Sequence, residues 1–324
     1  APVPATLLAD FPHSPLLTTN YPHYMHKLLT TLILTILSLY LSATVRVTNL
    51  SIEGRQDSPL GIDVKTPSLG WRLMADDGLF RICQTQYHIL VASSELLLSQ
   101  DKGDIWDHTT VSDQSQWIPF CGKKLSPNAK YWWKVRAEYS YSSSIDGKKT
   151  KKAWTEWSAP SSWSMGLMHE YRWKGYWIGM EHANPWDRED EHSRLSARYF
   201  RRTFPLASEV KRATLHICGL GLYEAYIDGN LISKGTRNDL SRLGDIVMTP
   251  APTDYRKSII YNTFDITPLL QNDRSKHCIA VTVSNGRFYT MQQNKKKHKI
   301  TNFGYPCLRA NIIIEYSDGK TETI

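Results

Sequence analysis

No Cys-x-x-Cys pair occurs in the 324-residue sequence, and its five cysteines (Cys83, Cys121, Cys218, Cys278, Cys307) form no cluster with histidine. That removes the usual signatures of a structural zinc or a dithiol redox centre, and an odd count leaves at least one thiol out of any disulfide scheme. Cys218 and Cys278 sit in strand-like runs and read as buried thiols. Long segments of helical period are missing, so a helical catalytic domain has no material to be built from. Organised positive charge is missing too. The formal charge is +8, but its densest runs, "GKKTKK" at 147–152 and "NKKKHK" at 294–299, fall where loops are expected. They read as solvated loops, with no nucleic-acid partner.

No apolar run reaches the ~20 residues that a membrane-spanning helix needs. The longest, Leu28 to Leu41, follows Met25-His26-Lys27 and precedes Ser42-Ala43. A short basic start, an apolar core and small residues are the layout of a secretory signal peptide. We therefore expect a signal at 25–43, cleavage after Ala43 despite the bulky Leu41, and a periplasmic or secreted product without a membrane span. Residues 1–24 have no clear periodicity and read as translation drawn too far upstream of Met25.

From Thr44 the dominant period is two. "TQYHILVAS" places Tyr87, Ile89 and Val91 on one face, and "YWWKVRAEYS" places Tyr131, Trp133, Val135, Ala137 and Tyr139 on one face. Such alternation is what a half-buried antiparallel strand requires. About seven short strands are expected between Thr44 and Leu167, spaced as in a β-sandwich. An early core tryptophan (Trp71), a tyrosine opening a later aromatic strand (Tyr131) and a closing "WTEWSAPSSWSMG" resemble a fibronectin type III domain. The same aromatics could form a sugar-stacking platform, but their strand spacing reads as core.

A second region opens at "YRWKGYWIGME" (171–181). "RATLHICGLGLYEAYIDGNLIS" reads as strand, tight turn, strand, with Asp228-Gly229 as the hairpin turn, and a last hairpin starts at Asp318-Gly319. Its return strand is short, as if the sheet were unfinished. The expected fold class is all-β: a fibronectin type III-like sandwich at 44–168, then a jelly-roll-like antiparallel sandwich at 169–324, truncated at the C-terminus.

Several phrases go beyond generic β structure. "PLGIDVKTPSLGWRL", "YHILVASS", "KGDIWD" and "YWWKVRA" resemble the first module of bacterial α-L-rhamnosidases, notably those of Bacteroidetes. "LSARYFRRTF", "GLGLYEAYIDG", "TPAPTDYRKSIIYNTFDIT" and "SNGRFYTMQQN" resemble the β-sandwich that follows in those enzymes. The resemblance implies an inverting glycosidase whose (α/α)6 barrel, with its two catalytic glutamates, lies outside this chain. Inversion needs two carboxyl groups ~6.5–9.5 Å apart. The one dense acidic stretch, "WDREDEH" at 186–192, reads as solvated loop, so no catalytic residue is assigned.

Sugar recognition combines an aromatic face with planar polar side chains. The candidates on expected loops are Trp186, Asp187, Asp254, Tyr255, Asn285 and Arg287. Some members of the resembled family bind rhamnose on this sandwich with calcium, for which Asp187 and Asp245, with a carbonyl near Pro250, could serve. No cofactor is otherwise required. The expected partners are rhamnose-containing glycans and the barrel of the same polypeptide. The alternative is a free-standing carbohydrate-binding or adhesion protein.

Overall fold

The computed structural model describes residues 44–142, 150–187, 195–232, 253–272, 275–289 and 303–324. The expected signal segment, the residues before it, and Asp245 lie outside these residues. Two antiparallel sandwiches follow one another along the chain. The first contains β1 (Val45–Ile52), β2 (Ser68–Ala75), β3 (Phe80–Ala92), β4 (Trp106–Val111), β5 (Ile118–Pro119), β6 (Lys130–Ser142), β7 (Thr150–Trp154) and β8 (Ser161–Ser164). β1-β2-β5 form one sheet; β4-β3-β6-β7 form the other, with β8 also on β6.

The inward faces are those set by the alternation. Tyr87, Ile89 and Val91 of β3 and Tyr131, Trp133, Val135, Ala137 and Tyr139 of β6 are all buried. All of them but Tyr139 belong to one core cluster with Trp71, Trp163 and Met165. Tyr131 ends the core with a polar contact: its hydroxyl accepts from Ser126 N at 2.8 Å. That is the tyrosine corner of immunoglobulin-type sandwiches, in which a buried phenol finds a backbone partner a few residues upstream. On the outer face of β6, the Arg136 guanidinium lies 5.2 Å from the Trp154 ring and 4.7 Å from Trp157, and Lys134 lies 5.1 Å from Trp157. These cations cover the rings that a sugar would need, so this face is not an open aromatic platform.

The second sandwich contains β9 (Ile178–Gly179), β10 (Arg198–Pro205), β11 (Val210–Leu220), β12 (Leu222–Ile227), β13 (Asn230–Leu231), β14 (Asn262–Asp265), β15 (Lys276–Ser284), β16 (Cys307–Tyr316) and β17 (Thr321–Thr323). One sheet runs β10-β15-β12-β13, the other β14-β11-β16-β17 with β9 also on β16. Ile279, Val281 and Val283 point inward, as their spacing requires. Asp228 and Gly229 both take positive φ (50° and 83°) and join Ile227 to Asn230, the two-residue turn that matches strand twist.

The structure differs from expectation at Gly221. The run 210–227 divides into β11 and β12, which lie in different sheets. Gly221 turns this corner at φ 130°, where an added Cβ would stand 2.1 Å from the Ser284 carbonyl oxygen. Only glycine fits there. Cys218 is buried as expected, whereas Cys278 is half-buried, and all five thiols are free. Among the described residues, no helix is long and apolar enough to cross a membrane.

Candidate functional site

The expected sugar-binding residues fall in three loops of the second sandwich: before β10, between β13 and β14, and after β15. Trp186 and Asp187 precede β10, and Arg198 at the start of β10 pairs with Val283, two residues before Asn285. The Asp187 side chain is 2% exposed. Its Oδ1 accepts from Ser196 N (2.8 Å) and Ser196 Oγ (2.6 Å), and its Oδ2 from Asn184 N (2.9 Å), with Arg198 Nη1 at 3.5 Å. Burial raises the carboxyl pKa, but the bonds from Ser196 and Asn184 and the Arg198 charge outweigh it and hold it at about 2. A carboxylate engaged by four donors, one of them a guanidinium, has little capacity left for calcium and does not fit that role as placed.

Asp187 instead ties down the loop that presents Trp186. That ring is 73% exposed, and its Nε1 donates to Ser196 Oγ at 3.0 Å. The result is an aromatic face held in place by its polar edge. Asp187→Asn would turn N–H donors toward Ser196 or Asn184. We expect faster hydrogen exchange at whichever of the two amides loses its acceptor; unchanged exchange at both would remove Asp187 as the anchor.

The other four candidates divide. Asp254 caps its own turn, its carbonyl accepting from Lys257 N (2.8 Å) and Ser258 N (3.1 Å), while its carboxylate pairs with Arg256 (Nε at 3.0 Å, Nη2 at 3.3 Å). The Arg256 hydrogen bond lowers its pKa. Tyr255 packs edge-on against Phe288 (5.3 Å) and Phe303 (5.2 Å), so much of its ring is wall, not platform. Arg287 is exposed, and Asn285 Oδ1 is buried with no hydrogen-bond partner among the described residues.

Sequence reasoning missed the junction between the two sandwiches. His216 of β11 is fully buried there, with Nε2 3.0 Å from Asn128 Oδ1 and Nδ1 3.0 Å from Thr263 Oγ1. Arg212 donates to the Asn128 carbonyl and, through Nε, to Glu315 Oε1 at 3.2 Å. Asp63 Oδ1 accepts from Tyr261 Oη (2.8 Å) and Met168 N (2.7 Å), and Leu167 N donates to Tyr261 Oη at 2.8 Å. Gly61 (φ 71°) lets the first domain approach: a Cβ there would stand 2.4 Å from Thr263 Oγ1. Beside this seam lies a cavity of about 420 Å³, walled by Asp63, Trp173, Trp177, Tyr255, Lys257 and Arg309 among others. That is within the size range of small-molecule sites, which favour domain junctions. Its one signal in the sequence was the aromatic density of "YRWKGYW".

Two family models match along the chain: a Rha78A-like N-terminal immunoglobulin domain over residues 47–169, and an α-L-rhamnosidase N-terminal domain over residues 208–324. Domain by domain, the chain is similar to the N-terminal region of α-L-rhamnosidases. An α-L-rhamnosidase of Formosa agariphila is 29% identical over 82% of this chain and 27% of its own length. One from Streptomyces avermitilis is 33% identical over 65% of this chain and 20% of its own length. The solved α-L-rhamnosidase of Dictyoglumus thermophilum superposes with a TM-score of 0.68 at 29% identity, covering 86% of this chain and 28% of that one. The chain thus spans about a quarter of the length of the relatives it matches. Its first module carries the immunoglobulin description; fibronectin type III shares that sandwich architecture.

Proposed function

We propose that this chain is the accessory, non-catalytic part of an exported α-L-rhamnosidase, acting in the periplasm or outside the cell. Its two domains position an (α/α)6 catalytic barrel and hold rhamnose-bearing glycans at the Trp186 end of the second sandwich. The observation that carries this reading is the order of the two family domains, joined by a polar seam whose His216–Asn128 contact is buried. Hydrogen bonds between buried groups have defined directions, so such a seam fixes the relative orientation of the domains better than apolar contact alone. A fixed orientation is what a platform for a catalytic domain requires. The exposed Trp186 ring offers an apolar face suited to the C–H face and methyl group of rhamnose.

The test is titration calorimetry of the chain with L-rhamnose and D-glucose, each with and without chelator. Rhamnose should bind with a dissociation constant on the order of 0.1–1 mM, because a monosaccharide offers few contacts. Trp186→Ala should weaken binding by about 1 kcal/mol or more. Loss on chelation would give calcium a role that the Asp187 geometry does not support. No heat at tens of millimolar, or an equal response to glucose, would leave the region a scaffold only. The chain alone should release no nitrophenol from p-nitrophenyl rhamnoside; turnover abolished by changing Asp187 would overturn the accessory reading.

A further inference from the structure

We infer that the cavity at the domain junction is a second saccharide site, distinct from the Trp186 end, and that it takes an acidic sugar unit. The inference rests on reading the chain as part of a glycan-processing protein; the charge preference comes from the cavity itself. Its walls carry three cationic side chains, Arg256, Lys257 and Arg309, against two acids, Asp63 and Glu170. Asp63 Oδ1 is already taken by Tyr261 Oη and Met168 N. Glu170 lies 3.8 Å from Arg309, and its side chain is 89% exposed. Arg256 is held by Asp254 through two bonds. Lys257 is different: its nearest carboxylate, Asp254, is 4.0 Å away and already bridged by Arg256, and the side chain is 81% exposed. Its ammonium group, held only by that long and exposed contact, can turn to meet an anion.

The remaining walls suit a sugar ring. Trp177 is 39% exposed and Ile259 41%, giving an apolar rim open to solvent. Trp173 is fixed by the edge of Tyr261 at 5.3 Å and by the Arg309 guanidinium at 5.2 Å. Arg309 is itself anchored, with Nε donating to the Gly175 carbonyl at 2.7 Å, so its remaining N–H groups are pre-oriented at no further entropic cost. A pyranose lying on Trp177 with a carboxylate toward Lys257 would use the aromatic face and the lysine charge together.

The experiment titrates the full chain with D-glucuronate and D-glucose, which share a ring and differ at the carboxylate, and with inorganic phosphate as a plain anion. Glucuronate should bind about tenfold more tightly than glucose, the factor expected of one charge-assisted hydrogen bond. Lys257→Gln and Trp177→Ala should each weaken glucuronate several-fold while leaving the rhamnose response unchanged. Equal affinity for glucose and glucuronate, or indifference to both substitutions, would overturn the proposal. Displacement of glucuronate by equimolar phosphate would also overturn it, showing an anion site without sugar recognition. Failure with rhamnose but success with glucuronate would remove the Trp186 site and leave this one standing.

Discussion

Trp71→Ala is expected to unfold the first domain or bring it to the edge of unfolding. The Trp71 side chain is fully buried in β2 and meets the Tyr87 ring edge-on at 5.0 Å. Removing it costs the packing of a large aromatic, about 3–5 kcal/mol. A second loss is polar. The Trp71 indole donates to Gln84 Oε1 at 2.9 Å, and Gln84 Nε2 in turn donates to the Gln114 (2.6 Å) and Ser112 (3.2 Å) carbonyls, tying the loop after β4 to the core. Without the indole, Gln84 keeps a buried acceptor unpaired, at about 1–3 kcal/mol. The two losses together approach the ~5–15 kcal/mol that holds a whole domain. Trp71→Phe separates them: it keeps most of the volume and removes the N–H, so it should cost only a few kcal/mol. Chemical denaturation of both variants measures this. A loss under about 1.5 kcal/mol for the alanine variant would mean the pocket collapses without penalty, and Trp71 would not be the keystone its burial implies. Unfolding should also dismantle the junction cavity, because Asp63, Leu167 and Met168 come from this domain.

Much of this fold was legible because period-two alternation maps directly onto burial. Every second residue from Tyr131 to Tyr139 is in the core, and the Asp228-Gly229 pair takes the two positive φ angles that its type predicts. The break at Gly221 was not legible, because "LHICGLGLYEAYI" keeps its apolar rhythm through the corner and a glycine there could as well have been a bulge. Site residues were read less completely, since residue type does not reveal exposure. Trp186 is presented to solvent as a sugar platform would be, while the neighbouring Asp187 is nearly sealed and spent on its own loop. Beyond the aromatic density of "YRWKGYW", the junction cavity was out of reach of local reading. Asp63 and Tyr261 are 198 residues apart, and only the docking of two domains makes them partners.

The seam that docks them should make stability sensitive to mild acid through His216. With Asn128 Oδ1 facing Nε2 and the Thr263 hydroxyl facing Nδ1, a neutral imidazole satisfies both contacts, donating to the first and accepting from the second. Protonation would place a buried cation near the Arg212 guanidinium. Burial first, and the Arg212 charge second, lower its pKa from 6.5 to about 4. In the unfolded chain the same ring takes up its proton near pH 6.5. Between about pH 6.5 and 4 the unfolded state therefore binds more protons, so stability is full above 6.5 and falls as the pH drops through that window. At ~1.4 kcal/mol per pH unit, the loss from this one residue is about 3 kcal/mol by pH 4. Carboxylates also begin to titrate there, so the measurement is a comparison: denaturation free energies at pH 7 and pH 4.5 for the natural chain and for His216→Gln, which can still donate and accept but does not titrate. The variant should be less stable at pH 7, where its fit is poorer, yet lose about 2–3 kcal/mol less on acidification. Parallel losses in the two proteins would show that His216 is protonated or solvated in the folded seam, and the buried neutral contact between the domains would have to be abandoned.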